Sequence, residues 1–494
     1  MFLIAVLFII SATALYLWLF YQDVKRYPKG PTPLPIFGNI LSVDFRKLHE
    51  QLSEYSKVYG NVFTVWLPRP HVVIADYEGI KEAFAKKGED FSGRPGRFPD
   101  TIFQNVENGG VIFSEGENWK EQRRISLHIL RDFGMGKNLM EEQVLLSAQE
   151  FLAHMASVKN KEAIDMRHPI QVFVANIINK TLFGFSYEYD KSDRLMASVD
   201  QLNMLFDEMK GSKLTMFAQM FPFVHRLPVI GHFSKDRFER MTDLVKKNIK
   251  EDVERCLKTY NPDQEPECFV QAYYQKMQTN SELNYDNLLN VCMDFFLAGM
   301  ETTSTTLRWS TLFMAKHTNV QDKIRQEIFS VLGADGKPST SLRSRMPYTN
   351  AAIQEIQRCA NIVPLNVTHR TVKDTSVESV PIPRDTFVIG HIQHIMAHSP
   401  VYKDADKFKP ERFLMDDGVT SNGEATEQLC PFSIGKRQCA GEGLAKVELF
   451  IGLITLLQNY KIEPAEGRTI DLEPIFAAVL LPKPQLLRVT PVSN

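Results

Sequence analysis

The sequence has no pair of cysteines at C-x-x-C spacing. Its six cysteines are scattered along the chain: Cys256, Cys268, Cys292, Cys359, Cys430 and Cys439. This spacing indicates neither a zinc ribbon nor the disulfide framework of small secreted domains. We therefore expect the bulk of the chain to face the cytosol.

The sequence also lacks a strong charge of either sign, internal repeats and low-complexity tracts. Its formal net charge is −2 at pH 7, so the chain as a whole predicts no affinity for nucleic acid. In contrast, 44 % of the residues are hydrophobic and 11 % are aromatic, which is enough to fill a large core. The length of 494 residues fits one large domain or two closely packed ones.

No charged side chain occurs in residues 1–22, MFLIAVLFIISATALYLWLFYQ. Roughly 20 apolar residues in a helix span the hydrocarbon core of a bilayer, about 30 Å. A cleaved signal peptide is the alternative, but the stretch lacks a basic start and a clear small-x-small exit. Lys25, Arg26 and Lys29 follow it, which predicts that everything downstream faces the cytoplasm. We predict an uncleaved anchor over 1–22 in the endoplasmic reticulum membrane.

Two further segments follow from the pattern. Residues 23–39 form a proline-rich linker, because four prolines and two glycines in 27–39 exclude a helix and favour an extended spacer. Residues 40–494 form the folded domain, mainly α with small β-sheets. Strand-like pieces are NVFTVWL, HVVIADY and VPIPRDTFVIG. The apolar stretch 213–233 is either core or a loop that dips into the membrane.

The lone Cys439 stands in FSIGKRQCAG, which fits the pattern FxxGxRxCxG and precedes a helical run. A helix N-terminus supplies N–H groups and a positive dipole end that hold a sulfur anion. Gly435 and Gly441 allow tight turns near that sulfur. Arg437 offers a fork for a carboxylate, and Phe432 can cover a flat macrocycle. A buried free cysteine is the plain alternative for a single thiol.

This segment resembles the haem-binding loop of the cytochrome P-450 superfamily, and the family's other motifs follow in order over nearly the whole chain. The resemblance implies the cytochrome P-450 fold with one N-terminal transmembrane helix, and a haem-thiolate monooxygenase domain over 40–494. It implies haem b (iron protoporphyrin IX) as cofactor, with Cys439 as the axial iron ligand and Arg437, Phe432 and Gly441 in contact with the haem.

The resemblance extends to the long helical run that contains AGMETT, residues 298–303. It implies that Glu301 and Thr302 are catalytic and deliver protons during oxygen activation. A buried glutamate in an apolar helix must be solvated or hydrogen-bonded. Small residues at Ala298 and Gly299 are expected to leave room for dioxygen.

Three more residues resemble the family's haem-propionate donors. Trp119 and Arg123 stand four apart in WKEQRR, and His369 stands in VTHRTVKD. Glu107 and Asn108 occupy positions where many relatives carry a basic residue, which places one propionate contact in doubt.

Two other clusters are not expected to be catalytic. Glu355, Arg358 and Arg412 (from EIQR and PERF) resemble the family's structural Glu–Arg–Arg cluster. His391, His394 and His398 have spacings that suit zinc, but the segment lacks the glutamate of a metalloprotease helix and aligns with the family, so we expect no separate metal site.

The resemblance is to the microsomal subgroup that oxidises drugs, fatty acids and steroids. It implies lipophilic substrates, electrons from NADPH through a membrane flavoprotein reductase, and a b-type cytochrome as an additional partner.

The expected walls of the substrate pocket are Phe103, Val111, Phe113, Phe295, Phe296, Ala298, Thr302, Val363, Leu365, Phe476 and Ala477. Five basic side chains (Lys120, Arg123, Arg124, Lys436 and Lys446) form either a docking face for the reductase or a solvated surface.

Two alternative functions are a haem-thiolate isomerase and a non-enzymatic haem carrier or gas sensor. An isomerase usually lacks the acid–threonine pair, which this chain has, and a carrier or sensor needs no proton relay.

Overall fold

The computed structural model describes residues 1–133, 138–211, 217, 221, 224, 227, 235–477 and 479–492. The apolar stretch 213–233 therefore lies almost entirely outside the described residues. In chain order the helices are α1 (Phe2–Val24), α2 (Leu48–Tyr59), α3 (Tyr77–Ile80), α4 (Gly116–Asp132), α5 (Asn138–Ser157), α6 (Arg167–Phe183), α7 (Asp193–Gly211), α8 (Lys235–Leu257), α9 (Phe269–Met277), α10 (Tyr285–Lys316), α11 (Thr318–Leu332), α12 (Pro347–Ala360), α13 (Ile392–His398), α14 (Gly423–Glu427) and α15 (Glu442–Asn459).

The strands are short and form small sheets, which confirms the predicted class. They are β1 (Val62–Leu67), β2 (Arg69–Ile74), β3 (His369–Arg370), β4 (Thr375–Val377), β5 (Val380–Ile382), β6 (Phe387–Gly390), β7 (Tyr460–Pro464), β8 (Pro474–Ala477), β9 (Val479–Pro482) and β10 (Leu487–Pro491). One sheet has four strands in the order β1-β2-β6-β3, with β2 and β6 parallel. The pairs β4–β5, β7–β10 and β8–β9 are antiparallel. All three predicted strand segments are confirmed.

The chain forms two compact units. The sheet unit comprises residues 1–95, 364–395 and 433–438, and the helical unit comprises 96–363, 396–432 and 439–494. In the sheet unit, α2 packs on the four-stranded sheet through Leu52, Phe63 and Val73. In the helical unit, α5, α6, α10 and α15 share one large apolar core.

The helix α1 carries no charged side chain before Asp23, as predicted. It has a mean hydropathy of 2.4 and none of its residues is buried, so it is long and apolar enough to cross a membrane. It ends at Val24, and Phe20 near its end contacts the Trp66 ring with 5.7 Å between centroids.

Residues 27–39 contain no α-helix, as predicted, but they do not form a straight spacer, and Asp23 and Val24 of the predicted linker belong to α1. A turn brings the Leu34 and Gly38 backbones together. The Asn39 side chain donates to the carbonyl oxygens of Pro31 and Thr32 and accepts from the Trp66 N–H. These bonds fix the segment on β1, because an amide side chain can bond to two parts of the backbone at once.

Asn284 is the N-cap residue of the long helix α10, and its side chain accepts a hydrogen bond from the Asn287 N–H. A Cβ at Gly299 would lie 2.6 Å from Ile178 Cδ1 on α6. Gly299 therefore allows α6 and α10 to approach closely, and its expected role in making room for dioxygen stays a prediction.

Candidate active site

Cys439 lies at the turn that leads into α15. Its N–H donates to the Phe432 carbonyl oxygen at 3.0 Å, which closes the turn. Gly441 is the N-cap residue of α15, and the backbone N–H groups of Gly441 and Glu442 bond to the sulfur. The sulfur therefore receives donors from a helix N-terminus, where negative charge is stabilised.

The surroundings of the Cys439 sulfur act on its pKa in opposite directions. Burial is the largest influence and raises the pKa of the thiol, while the Gly441 N–H and the Arg123 guanidinium lower it. The side chain of Cys439 is nevertheless exposed to solvent. A Cβ at position 441 would touch no protein atom within 4 Å. Such a sulfur fits the thiolate ligand of a haem, since the iron charge compensates a poorly hydrated anion.

The two glycines of the motif have different roles. Gly435 has a φ of +82°, and a Cβ there would lie 1.8 Å from the Phe84 carbonyl oxygen within the sheet unit. Gly441 has a φ of −95°. The backbone therefore requires glycine at 435, as predicted, but not at 441, where the N–H group is the useful feature.

Three basic side chains lie close together in the sheet unit. Arg437 donates from Nε and Nη2 to the Ser92 carbonyl oxygen at 2.9 and 2.7 Å. Arg94 donates to the carbonyl oxygens of Val367 and Thr368. Burial, followed by Arg94, holds the pKa of His369 well below its usual value.

The hydrogen bond of His369 limits what its ring can donate. Nδ1 lies 2.7 Å from the Phe91 carbonyl oxygen, which only accepts, so Nδ1 carries the proton in the neutral ring. Nε2 is then without a proton and can donate to a carboxylate only after the ring is protonated. A nearby carboxylate favours that protonation, because it stabilises the imidazolium.

In the helical unit, α4 carries the other two predicted propionate donors. Trp119 is buried and Arg123 is half-buried, one turn apart on the same helix. Burial lowers the pKa of Arg123, and the charge of Cys439 opposes this change. The structure therefore brings Arg123 near Cys439 within this unit.

Glu301 and Thr302 lie next to each other on α10, but their side chains bond to different partners. Glu301 is buried, and burial raises the pKa of its carboxyl group against the opposing charges of Arg308 and Arg167. Its Oε1 accepts from Thr305 Oγ1 at 3.3 Å. The Thr302 hydroxyl donates to the Ala298 carbonyl oxygen at 2.7 Å. The expected hydrogen bond to Glu301 is present, and its role in proton delivery stays a prediction.

Three polar side chains on one face of α10 hold the loop 104–115. Asn287 Oδ1 accepts from the Gly110 N–H, and Asn290 Oδ1 accepts from the N–H groups of residues 105 and 106. Asp294 Oδ2 accepts from the N–H groups of residues 111 and 112 at 2.6 and 2.9 Å. We call Asn287, Asn290 and Asp294 the polar stripe.

The polar stripe gives a pH dependence to stability. Burial raises the pKa of Asp294 to about 7, so the folded protein keeps this proton at pH values where the unfolded chain has lost it. Stability then falls as pH rises from about 4 to about 7 and levels off above that. In urea unfolding between pH 5 and 8, we expect Asp294→Asn to become more stable relative to the wild type as pH rises. A difference independent of pH would contradict this.

The predicted pocket walls are only partly brought together. The rings of Phe103 and Phe113 stack with 5.7 Å between centroids. Phe295 instead packs edge-on against Phe269 of α9, and Leu365 packs on the sheet-unit core. The side chain of Ala477 lies outside the described residues.

The Glu–Arg–Arg cluster is confirmed within the helical unit. Glu355 is fully buried and accepts from Arg358 at 2.7 and 2.9 Å and from Arg412 Nε at 2.9 Å. Both guanidinium groups also donate to backbone carbonyl oxygens of residues 396–407. The cluster therefore fixes the segment that follows α13.

A family model for cytochrome P450 matches residues 28–489 of the chain. The chain belongs to the cytochrome P450 family. It is 36 % identical over 454 residues to cytochrome P450 2C28 of Mesocricetus auratus, with 91 % of each chain covered. It is 37 % identical over 466 residues to cytochrome P450 2C14 of Oryctolagus cuniculus, with 93 % of each covered. It is 34 % identical over 491 residues to cytochrome P450 2H2 of Gallus gallus, with 97 % of each covered.

This P450 is therefore a haem-dependent monooxygenase, as predicted. In the helical unit, the N–H groups of Gly441 and Glu442 lie at the Cys439 sulfur. In the sheet unit, the cations Arg94 and Arg437 lie near His369. Sequence reasoning missed Arg94 and the polar stripe. The motif FSGRP contains Arg94 and could have indicated it, whereas nothing in the sequence shows that the stripe bonds to backbone groups.

Proposed function

We propose that this P450 inserts one atom of O2 into lipophilic small molecules (xenobiotics, fatty acids or steroids), with electrons from NADPH through a flavoprotein reductase. The observation that carries the proposal is the Cys439 sulfur at the start of α15, bonded by the N–H groups of Gly441 and Glu442. These donors moderate the charge of a thiolate without protonating it. When bound through such a thiolate, haem b supplies the O–O cleavage chemistry, because the sulfur pushes electron density onto iron.

The other predicted residues position the cofactor. Arg437, Trp119, Arg123 and His369 would hold the haem propionates, and Phe432 and Gly441 would contact the macrocycle. Cationic donors suit this task, since charge-assisted hydrogen bonds to carboxylates are stronger than neutral ones. His369 joins them in its protonated form.

Glu301 and Thr302 move protons toward the oxygen-binding side. The raised pKa of Glu301 supports this role, because an acid whose pKa is nearer neutrality both takes up and releases a proton readily. The Thr302 hydroxyl can turn from the Ala298 carbonyl oxygen toward a reacting oxygen, since rotation about one bond is sufficient.

Removing the Thr302 hydroxyl tests proton delivery. For Thr302→Ala we expect product formed per NADPH to fall by about 100-fold or more, since a positioned proton donor typically contributes about 10²- to 10⁴-fold. Thr306→Ala is the matched control, because its hydroxyl bonds to the Thr302 carbonyl oxygen in the same manner, one turn later. Product yield and NADPH consumption are measured together. Equal yields from the two variants would contradict the role of Thr302.

The reductase needs a binding surface on the protein. Four of the five basic side chains proposed for it form ion pairs within their own unit: Lys120 with Glu117, Arg124 with Glu121, Lys446 with Glu442, and Lys436 with Glu89. A basic side chain that already forms an ion pair attracts an acidic partner less strongly than an unpaired one does. We therefore propose the reductase as partner, with a b-type cytochrome as an additional partner, but we do not assign the reductase-binding surface to these five basic side chains.

We propose that residues 1–22 anchor the protein in the endoplasmic reticulum membrane, that 23–39 link the anchor to the domain, and that 40–494 face the cytoplasm. Lys25, Arg26 and Lys29 support this orientation. Lipophilic substrates dissolve in the same membrane, which brings them to the enzyme.

Deleting residues 1–22 tests the anchor. We expect most of the truncated protein to move from the membrane pellet to the supernatant, with its haem spectrum unchanged. A full-length variant with Ile9→Lys and Ile10→Lys breaks the apolar span without shortening the chain and is expected to weaken membrane retention similarly. A mature chain that starts downstream of residue 22 would instead identify a cleaved signal peptide.

Substrate-dependent NADPH consumption with the purified reductase tests the overall reaction. We expect consumption to rise when lipid extracts or xenobiotics are added, with oxygenated products detected by mass spectrometry. A turnover that needs no NADPH would identify a haem-thiolate isomerase, and the absence of any turnover would identify a carrier or sensor.

A further inference from the structure

Two cysteines outside the active site have their sulfur atoms in contact. Cys256 Sγ lies 3.2 Å from Cys268 Sγ. Cys256 is half-buried in the last turn of α8, and Cys268 is the buried N-cap residue of α9. Both belong to the helical unit. The fold thus pairs two thiols whose spacing in the sequence gave no indication of a pair.

The two sulfurs have different roles in this contact. The contact with Cys256 lowers the pKa of Cys268, and Cys268 is also the N-cap residue of α9, where the helix N-terminus stabilises an anionic sulfur. The pKa of Cys256 is raised, first by its bond to Cys268 and then by burial. Cys268 is therefore the better nucleophile, and Cys256 is the thiol that keeps its proton.

The surroundings allow the sulfurs to come closer. A disulfide has an S–S distance of about 2.05 Å, so the gap must close by about 1.2 Å. Both cysteines border residues 258–267, a connection that is largely exposed and contains no helix or strand. This exposed connection gives the end of α8 room to shift toward α9, with Cys256 and Leu257 adjusting at the edge of the helical-unit core on which they pack. A third thiol, Cys292, lies nearby but is fully buried, which raises its pKa well above the usual value.

We propose that Cys256 and Cys268 form a reversible disulfide site that responds to hydrogen peroxide. The Cys268 thiolate attacks one peroxide oxygen, the O–O bond breaks, and Cys268 becomes a sulfenic acid as water leaves. The Cys256 sulfur then attacks the sulfenic sulfur, its proton leaves with the hydroxyl group as a second water, and the S–S bond forms. Two thiols and one peroxide thus become one disulfide and two waters.

Peroxide suits this site better than a bulky disulfide oxidant. Cys268, the nucleophile, is only 1 % exposed, so a small neutral molecule reaches it more readily than a peptide disulfide. In a reducing compartment, protein disulfides are usually transient and redox-sensing. The pair is therefore a modification site and not part of a permanent framework.

The bond would join two helices that contact separate parts of the helical unit. On α8, Thr242 and Lys246 donate to the carbonyl oxygens of Ile102 and Gln104. On α9, Tyr273 donates to Gln122 on α4 at 2.6 Å. A covalent link between α8 and α9 reduces the freedom of the unfolded chain, so we expect the oxidised protein to melt at a higher temperature.

The test uses the full-length, haem-loaded protein treated with hydrogen peroxide and then with catalase, with haem absorbance recorded throughout. We expect intact mass to fall by two hydrogen atoms and a non-reducing peptide map to link Cys256 with Cys268. The melting temperature should rise by a few degrees, and dithiothreitol should reverse both changes. Cys256→Ser should leave Cys268 as a sulfenic acid, which dimedone traps when it is added together with denaturant so that it reaches the buried sulfur, and Cys268→Ser should abolish the link.

Cys359→Ser is the matched control, because Cys359 is a half-buried thiol outside the pair. It should form the Cys256–Cys268 link as readily as the wild type does. The proposal is overturned if the map links Cys268 to Cys292, if Cys256→Ser yields no trapped sulfenic acid, or if both thiols stay reduced at peroxide levels that already bleach the haem.

Discussion

Replacing Cys439 by serine is expected to abolish both the haem-thiolate spectrum and monooxygenase activity. A serine hydroxyl stays protonated where a thiol ionises, so the variant loses the anionic ligand that pushes electron density onto the iron. The backbone of the turn remains, because the residue 439 N–H still donates to the Phe432 carbonyl oxygen. The measurement is the spectrum of the reduced, carbon-monoxide-treated protein together with turnover.

Cys256→Ser is the control for this experiment, since it removes another accessible thiol far along the chain from the motif. It should keep both the red-shifted Soret band of the carbon-monoxide complex and the activity. Should Cys439→Ser keep that band, another residue would have to be the iron ligand, and the assignment of the active site would be wrong.

Neutralising Glu355 is expected to cost about 3–5 kcal/mol in the free energy of unfolding, which is the usual effect of removing one partner of a buried ion pair. Glu355→Gln keeps the side-chain size but leaves Arg358 and Arg412 buried without a counter-charge. A loss of this size approaches the total stability of many domains. We therefore expect little folded, haem-loaded protein, measured by urea unfolding and by haem content.

Glu411→Gln is the matched control for Glu355→Gln. Glu411 lies one residue before Arg412, and it pairs with Lys323 where both side chains are largely exposed. Exposed pairs contribute about 0–1 kcal/mol, so this variant should stay close to the wild type. Equal stability of the two variants would show that burial of the cluster does not matter.

The sequence predicted the parts of the site in which chemistry restricts the residue type. Only a cysteine provides a thiolate, and only a glycine tolerates the backbone at position 435, where φ is +82° and the Phe84 carbonyl oxygen lies close. The helix after Cys439 and the strands β1, β2, β5 and β6 were also predictable, because their hydrophobic patterns have a clear period.

The sequence did not predict which side chains meet across the fold. The sequence gave no indication that Gly299 packs against Ile178, 121 residues earlier in the chain. The contact between Cys256 and Cys268 depends on how α8 and α9 are placed, and no local pattern reports that placement. The same residue type can be present for packing or for catalysis, and only the residues that surround it in the folded protein show which role it has.

The polar stripe on α10 has a consequence for how this enzyme can change over evolutionary time. Its bonds go to main-chain N–H groups of the loop 104–115, which every residue except proline possesses. Except at Gly109 and Gly110, where a Cβ would clash with Asn290 and Asp294, side chains in this loop can therefore be exchanged while its attachment persists. New substrate preferences could thus arise by single substitutions in the loop, without a compensating change in α10.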